Sequence, residues 1–350
     1  LKIAIITDTH FGARNDNQYF NDYFFKFYEN VFFPYLVENN ITTCIHMGDV
    51  MDRRKYVSYK IATDFRKRFL QRFVELKIDL HMIIGNHDTY YKNTSEVNSM
   101  EELGNVGTVY TRPELITLDG HDILLMPWIN ANNYEESMEH LNHTNADVLM
   151  GHLEINGFAM NANNMVTHDG WDKKFFKRFE AVFSGHFHHK SDDGQIYYLG
   201  TPYEIYWNDW NDKKGFHIYD TNTRELERIV NPYTIYEKIY YDDTTEDYSK
   251  HDVSKYEEKY VKLIVVNKKD LYEFDKFSDR LLKSDCHEVK IIEDFSDFDA
   301  SNVSDDIVEN SGDTITLLDK YIDELTVDLD KDRLKSTMKK LYIEASDLDV

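Results

Sequence analysis

Asp8 and His10 stand two residues apart at the end of an apolar run. In extended chain their side chains leave on one side, as two ligands of a single cation must. Alone, a D-x-H triplet is common, and a solvated Asp beside a hydrogen-bonded His accounts for most of them. Its company decides the matter: Asp49, Asn86, His152, His186 and His188 each follow a similar short apolar run. One shared site explains all of these positions, where separate structural reasons would otherwise be needed. Imidazole, carboxylate and amide ligands without thiolate suit Mn2+, Fe2+ or Zn2+ better than Mg2+ or Ca2+, and Mn2+ is the first expectation. So many ligands are too many for one ion but natural for two divalent ions sharing a carboxylate, for which Asp49 is the candidate. Two such ions polarise a phosphodiester, supply hydroxide near neutral pH and stabilise charge on the attacking and leaving oxygens. The expected reaction is phosphoester hydrolysis.

His87 sits between Asn86 and Asp88, and alternation turns it away from the side that Asn86 uses. An imidazole there is expected to serve the substrate, as general acid or as a stabiliser of the leaving oxygen. Asp88 either orients His87 or ties down the loop. Asp52 and Arg53 follow the bridging carboxylate closely, and either meet substrate, brace a ligand or pair at the surface. His46, His81, His189 and His217 lack a matched partner and stay unassigned. The helical spacing of Phe24, Phe25, Tyr28, Phe32 and Phe33 reads as core or subunit contact rather than a nucleotide platform.

The elements that must position these residues are five short apolar runs: Lys2 to Thr7, Thr43 to Met47, Leu80 to Ile84, Ala146 to Met150 and Ala181 to Ser184. Each suits burial on both faces, and the expectation is that they share one sheet whose carboxyl ends carry the site. Gly48, Gly85, Gly151 and Gly185 permit the sharp exits that raise the next polar side chain above the strand end. Runs at 196–200, 215–220 and 225–230 are expected to complete a second sheet, so residues 1–232 read as an α/β two-sheet sandwich flanked by helices. Residues 233–292 carry a β-α-β-like pattern, expected to be a small α+β accessory unit. Between residues 293 and 313 there are many carboxylates and no Lys or Arg, the composition of a flexible linker. In 314–350, Ile315, Leu318, Ile322 and Leu325, then Leu334, Met338, Leu341 and Tyr342, predict two amphipathic helices in need of an apolar partner.

Composition narrows the function classes. A chain of 350 residues with 41% hydrophobic content fills a sizeable core. A net charge of -24 argues against a protein that binds nucleic acid through a large positive surface alone, although it does not fix how charge is distributed locally. No run approaches the ~18 apolar residues of a membrane span. Cys44 and Cys286 are too few for a disulfide framework or a thiolate metal site, so a reducing cytoplasm is expected.

The motifs resemble those of the calcineurin-like metallophosphoesterase superfamily, whose order is D-x-H, G-D, G-N-H, G-H and G-H-x-H. Further likeness, to the SbcD-type DNA repair and recombination nucleases including those of T-even phages, lies in Asp8-Thr9-His10-Phe11-Gly12, Gly48-Asp49-Val50-Met51-Asp52, Gly85-Asn86-His87-Asp88, Gly185-His186-Phe187-His188 and Tyr198-Leu199-Gly200-Thr201-Pro202. The resemblance implies a metallophosphoesterase sandwich with residues 233–292 as a capping domain. It assigns one metal to Asp8, His10, Asp49 and His188, the other to Asp49, Asn86, His152 and His186, and leaving-group assistance to His87. It further implies manganese-dependent exonuclease action on duplex DNA, endonuclease action on single strands, and a homodimer. The C-terminal helices would dock on an SbcC-type coiled-coil ATPase, and a phage-encoded chain would work in its host's cytoplasm. At the position of Asp52, eukaryotic and archaeal relatives often carry His, which leaves that residue's role open.

A basic stretch fits the DNA reading. Arg53, Arg54, Lys55, Lys60, Arg66, Lys67, Arg68 and Arg72 lie together with Asp64 as their only acid, and Arg53, Arg54, Lys55, Arg66 and Arg68 are the expected phosphate contacts. A second basic group is Lys173, Lys174, Lys177 and Arg178. The bland alternative is a helix face that offsets an acidic surface. A rival function is a metal-dependent protein phosphatase, because Gly48-Asp49-Val50-Met51-Asp52-Arg53 is similar to the G-D-x-x-D-R of those enzymes. Against it, Phe11 follows the D-x-H where those enzymes usually place Gly.

Overall fold

The computed structural model describes residues 1–104, 106–160 and 170–293, with Ile322, Lys331, 333–335 and Met338 beyond them. Its strands are β1 (Lys2–Ile6), β2 (Thr43–His46), β3 (Asp79–Ile83), β4 (Thr108–Tyr110), β5 (Glu114–Leu118), β6 (His121–Met126), β7 (Val148–His152) and β8 (Ala181–Gly185). There follow β9 (Ser191–Asp192), β10 (Ile196–Tyr198), β11 (Gly215–Asp220), β12 (Leu226–Val230), β13 (Tyr236–Asp242), β14 (Tyr260–Asn267) and β15 (Glu288–Ile292).

They form two mixed six-stranded sheets, ordered β12-β11-β1-β2-β3-β4 and β5-β6-β7-β8-β10-β9. The two sheets face each other. Ile3, Ile5, Ile45, Met47 and Ile83 from the first pack with Ile123, Leu125, Val148, Met150 and Phe183 from the second. The alternate residues Ala4, Ile6, Cys44, Leu80 and Met82 face a helical layer, and Leu124, Leu149 and Val182 face outward on the other side. Both sides of each central strand are therefore covered, which is why those runs are apolar throughout.

The expectation of a single sheet for the five motif-bearing strands is corrected: β1, β2 and β3 belong to the first sheet, β7 and β8 to the second. A strand buried on both faces carries no mark of which sheet it joins. The expected second sheet is corrected too. Of the later runs only β10 lies there, while β11 pairs antiparallel with β1, in the register Lys2↔Asp220, and β12 with β11. The second sheet instead begins with the hairpin of β5 and β6, whose turn holds Asp119 and Gly120 at φ 51° and 77°.

Phe24, Phe25, Tyr28, Phe32 and Phe33 are core. Their helix and the one carrying Phe65, Phe69 and Phe73 each include a π-helical stretch, Tyr28–Phe32 and Phe65–Leu70. The two interlock through Tyr28 and Phe69, whose rings lie 4.9 Å apart.

A separate parallel sheet, β13-β14-β15, packs against the helix Leu271–Leu282. Asp270 caps that helix by accepting from the amides of Tyr272 and Glu273. Phe274, Phe277 and Leu281 then bury against Ile239, Tyr241 and Leu263. The acidic stretch from residue 294 and the two predicted C-terminal helices lie outside the described residues, isolated positions apart. Among the described residues no helix is long and apolar enough to cross a membrane.

Candidate metal centre

The loops leaving β1 and β2 run side by side. The Asp8, His10 and Phe11 amides donate to the carbonyls of Gly48 (3.0 Å), Asp49 (3.1 Å) and Val50 (2.8 Å). Phe11 plugs the loop from beneath, its ring 5.0 Å from Phe65 and 5.2 Å from Phe69. Tyr203 secures the same loop by donating to the Thr9 carbonyl at 2.6 Å. A Cβ on Gly85 would stand 2.2 Å from the Asp49 amide nitrogen, and one on Gly185 would stand 2.1 Å from Thr7 Oγ1, so close approach of backbone at the first and of buried side chains at the second demands both glycines. Asp8, His10, Asp49 and His186 all have positive φ, a concentration of strained backbone of the kind that marks functional sites.

These loops bring together two groups of candidate ligand atoms, Asp8 with His10 and His188, and Asp49 with His152 and His186, each group's atoms lying within 4.8 Å of one another. Each draws on both sheets. Asn86 joins the second group, its Oδ1 2.9 Å from both His152 Nε2 and His186 Nδ1. The groups adjoin: His10 Nε2 is 3.8 Å from Asp49 Oδ2, and His152 Nε2 is 3.3 Å from the same oxygen. All seven residues predicted as ligands thus converge at the carboxyl ends of β1, β2, β3, β7 and β8.

The donor set fits divalent cations. His152 Nδ1 donates to the Met47 carbonyl at 2.8 Å, which turns Nε2 toward the Asn86 carbonyl and the Asp49 carboxylate. That convergence calls for positive charge, which a protonated His152 or a bound cation would supply. At the other group, Nε2 of His188 and Nε2 of His10 stand 3.1 Å apart. No Lys or Arg forms an ion pair with Asp8 or Asp49 among the described residues.

Burial and crowding split the pKa values of these groups. Burial raises Asp8 to about 6, against the pull of His152. Burial works against the charged form of Asp49 too, but His152 and His87 hold its pKa well below the usual range. Burial likewise opposes protonation of His10 and His152, yet Asp52 at the first and Asp49 at the second raise each to about 9. His186, buried and beside His152, falls to about 3, and His188, buried beside His10, is also depressed. A metal ion takes neutral imidazoles and ionised carboxylates as ligands, so its binding would release the protons that a pKa of about 9 keeps on His10 and His152.

Around the ligands, His87 lies edge-on to His10 with ring centroids 4.9 Å apart, and its amide donates to Asp49 Oδ1 at 2.7 Å. Its Nδ1 donates to the Asp52 carbonyl at 2.5 Å. Asp52 thereby orients His87 through its backbone, while its carboxylate stands 3.4 Å from His10 Nδ1. Asp88 serves the loops instead. It accepts from the amides of Val50 (2.9 Å), Met51 (3.0 Å) and Gly85 (2.9 Å), tying the loop after β2 to the loop after β3.

Of the expected phosphate contacts, Arg54 is half-buried near Asp49 and Asp88 and donates to Thr89 Oγ1 at 3.2 Å. Arg53 pairs with Asp16, and Arg68 with Glu29 and Asp22. Lys55 and Arg66 are exposed. Thr9 Oγ1 lies 2.9 Å from Nε2 of His46, a core histidine.

Sequence reasoning missed three contributors. Trp128 lies 5.1 Å from the His186 ring, and Tyr206 stacks parallel to His188 at 5.8 Å. Buried Lys214 donates to the His188 carbonyl at 2.8 Å and pairs with Asp209 (2.6 Å) and Asp212 (2.9 Å). Nothing in the local sequence separates a buried Lys from the many exposed ones.

A two-sheet α/β sandwich with paired His/Asp clusters on a shared edge is the build of a metal-dependent phosphoesterase. Residues 1–190 match the calcineurin-like phosphoesterase family, and the chain belongs to it. It is 32% identical to Exonuclease subunit 1 of Enterobacteria phage T4 over 354 aligned residues, 99% of this chain and 100% of that one. The SbcD component of the SbcCD nuclease of Staphylococcus epidermidis is 23% identical over 65% of this chain and 67% of its own. Among solved structures, an archaeal phosphodiesterase aligns at 13% identity over 66% of this chain and 100% of its own, with a TM-score of 0.32.

Proposed function

We propose that the chain is a manganese-dependent DNA nuclease, degrading duplexes from their ends and cutting single strands internally, within an SbcCD-like recombination and repair complex. The observation that carries this reading is the adjoining pair of His/Asp clusters in a phosphoesterase fold that aligns end to end with a phage exonuclease subunit.

Asp8, His10, Asp49 and His188 would hold one ion, and Asp49, Asn86, His152 and His186 the other, with Asp49 common to both. When bound, the pair supplies Lewis acidity toward a phosphodiester and a water activated near neutral pH. The chain's own groups do the rest. His87, held at Nδ1 by the Asp52 carbonyl, presents Nε2 to the substrate; protonated there as the imidazolium, it passes that proton to the leaving oxygen and is left neutral, the form its burial favours. Asp88 and Asp52 act as positioning residues, the first by pinning both ligand loops and the second by aligning His87 and His10. Arg54 contacts a phosphate beside the centre, with Arg53, Lys55, Arg66 and Arg68 along the neighbouring duplex.

In this reading residues 1–232 form the nuclease core, which pairs as a homodimer, and residues 233–292 cap it. Residues 293–313 link to the C-terminal helices of 314–350, which dock on a coiled-coil ATPase. The test incubates the purified chain and Mn2+ with end-labelled duplex DNA, single-stranded DNA and a phosphopeptide, with and without such an ATPase from the same genome. DNA shortening with the phosphopeptide intact is expected. Phosphate release with intact DNA puts the phosphatase reading first.

A further inference from the structure

The loops that continue from the ligand loops of β2 and β3 are laced together. His87 bonds to the Asp52 carbonyl, Arg54 to Thr89 Oγ1, and Lys55 Nζ sits 5.7 Å above the Tyr90 ring. These contacts match residues 52, 54 and 55 with 87, 89 and 90, so the two loops leave the metal centre as one ridge. The second loop is braced again where the Tyr90 amide donates to the Val97 carbonyl at 2.9 Å.

That ridge carries Tyr56, Tyr59, Tyr90 and Tyr91, which are 66%, 94%, 37% and 52% exposed. None serves the core. Arg53 lies over the Tyr56 ring at 4.6 Å, and Tyr90 and Tyr91 meet edge-on at 4.7 Å. Although the chain as a whole carries a net charge of -24, no carboxylate occurs between Arg53 and Thr63 or between Thr89 and Ser95. Rings that alternate with cations, of which Arg53 is paired with Asp16 and Lys60 with Asp64, suit a ligand with flat apolar faces strung along an anionic backbone.

We propose that this ridge is a stacking platform for unpaired nucleobases of a DNA strand at the mouth of the metal centre. The platform deepens the nuclease reading and rests on it. A duplex hides its base faces except at its termini, so the ligand is a single-stranded segment or a frayed end. The tyrosines stack on bases, and Arg53, Arg54 and Lys55 meet the phosphates between them.

The experiment titrates the full chain in Mn2+ with a phosphorothioate-linked oligonucleotide carrying 2-aminopurine, either in a single-stranded overhang or within a blunt duplex. Stacking is expected to quench the overhang probe. Tyr90→Leu with Tyr91→Leu is expected to weaken overhang binding roughly tenfold or more while the salt dependence of binding keeps its slope. Tyr90→Phe with Tyr91→Phe restores affinity, since the ring and not the hydroxyl carries the contact. Equal loss on overhang and blunt duplex, no loss at all, or failure of the Phe pair to rescue overturns the platform. These outcomes are separate from failure of the nuclease reading, in which the unaltered chain cuts no phosphodiester-linked DNA.

Discussion

The ammonium group of Lys214 donates to the main-chain carbonyl of His188, 26 residues before it, from a position sealed off from solvent. Asp209 and Asp212 hold the charge there, and Asp209 also accepts from the Ile205 and Tyr206 amides. A metal-ligand candidate is thus set by a buried ion triad. Lys214→Met leaves two carboxylates without their cation and is expected to cost about 3–5 kcal/mol. Urea denaturation checks it, and the additional change Asp212→Asn should recover part of the loss.

His87 stands beside the ligand groups without belonging to either. His87→Gln should keep the full metal complement, read by elemental analysis, while DNA hydrolysis falls about 10²- to 10⁴-fold. A variant with normal hydrolysis would remove the proton-donor role.

Asp49 belongs to one ligand group and its Oδ2 also lies 3.8 Å from His10 Nε2 in the other. Asp49→Asn is expected to lower bound Mn2+ from two ions per chain to one or none, measured by calorimetric titration. Because ions bind the native state alone, adding Mn2+ to chelated wild type should raise the unfolding free energy by about 2.7 kcal/mol at a hundredfold excess over Kd. The variant should gain less.

Glu204 gives a pH signature away from the ligands. Its carboxylate is buried, accepts from the Ile235 and Tyr236 amides, and is raised by that burial from 4.5 to about 7. The folded chain therefore holds a proton that the unfolded chain releases. This contribution is complete below pH 4.5 and disappears as pH rises through 7, so stability should decline across that window by on the order of 3 kcal/mol. Glu204→Gln should flatten the decline in denaturation midpoints measured across the same window.

The residues of the candidate site were legible because each follows a short apolar run that stops at or near a glycine, and glycine is demanded where Asp49 crowds Gly85. Sheet membership was not, since β1 and β7 are both buried on two faces and look alike. The hairpin of β5 and β6 has a readable signal in Asp119-Gly120 between two apolar-rich runs, but no chemistry-bearing residue follows either strand to draw attention to it. Lys214 and Glu204 were invisible for a different reason: charged side chains are almost always exposed, and only tertiary partners reveal the exceptions.

Both ligand groups take atoms from either half of the sandwich, Asp8 and His10 meeting His188, and Asp49 meeting His152 and His186. A newly made chain with one half formed has no place where a cation pair can sit. The candidate centre therefore exists only once the two halves have closed on one another.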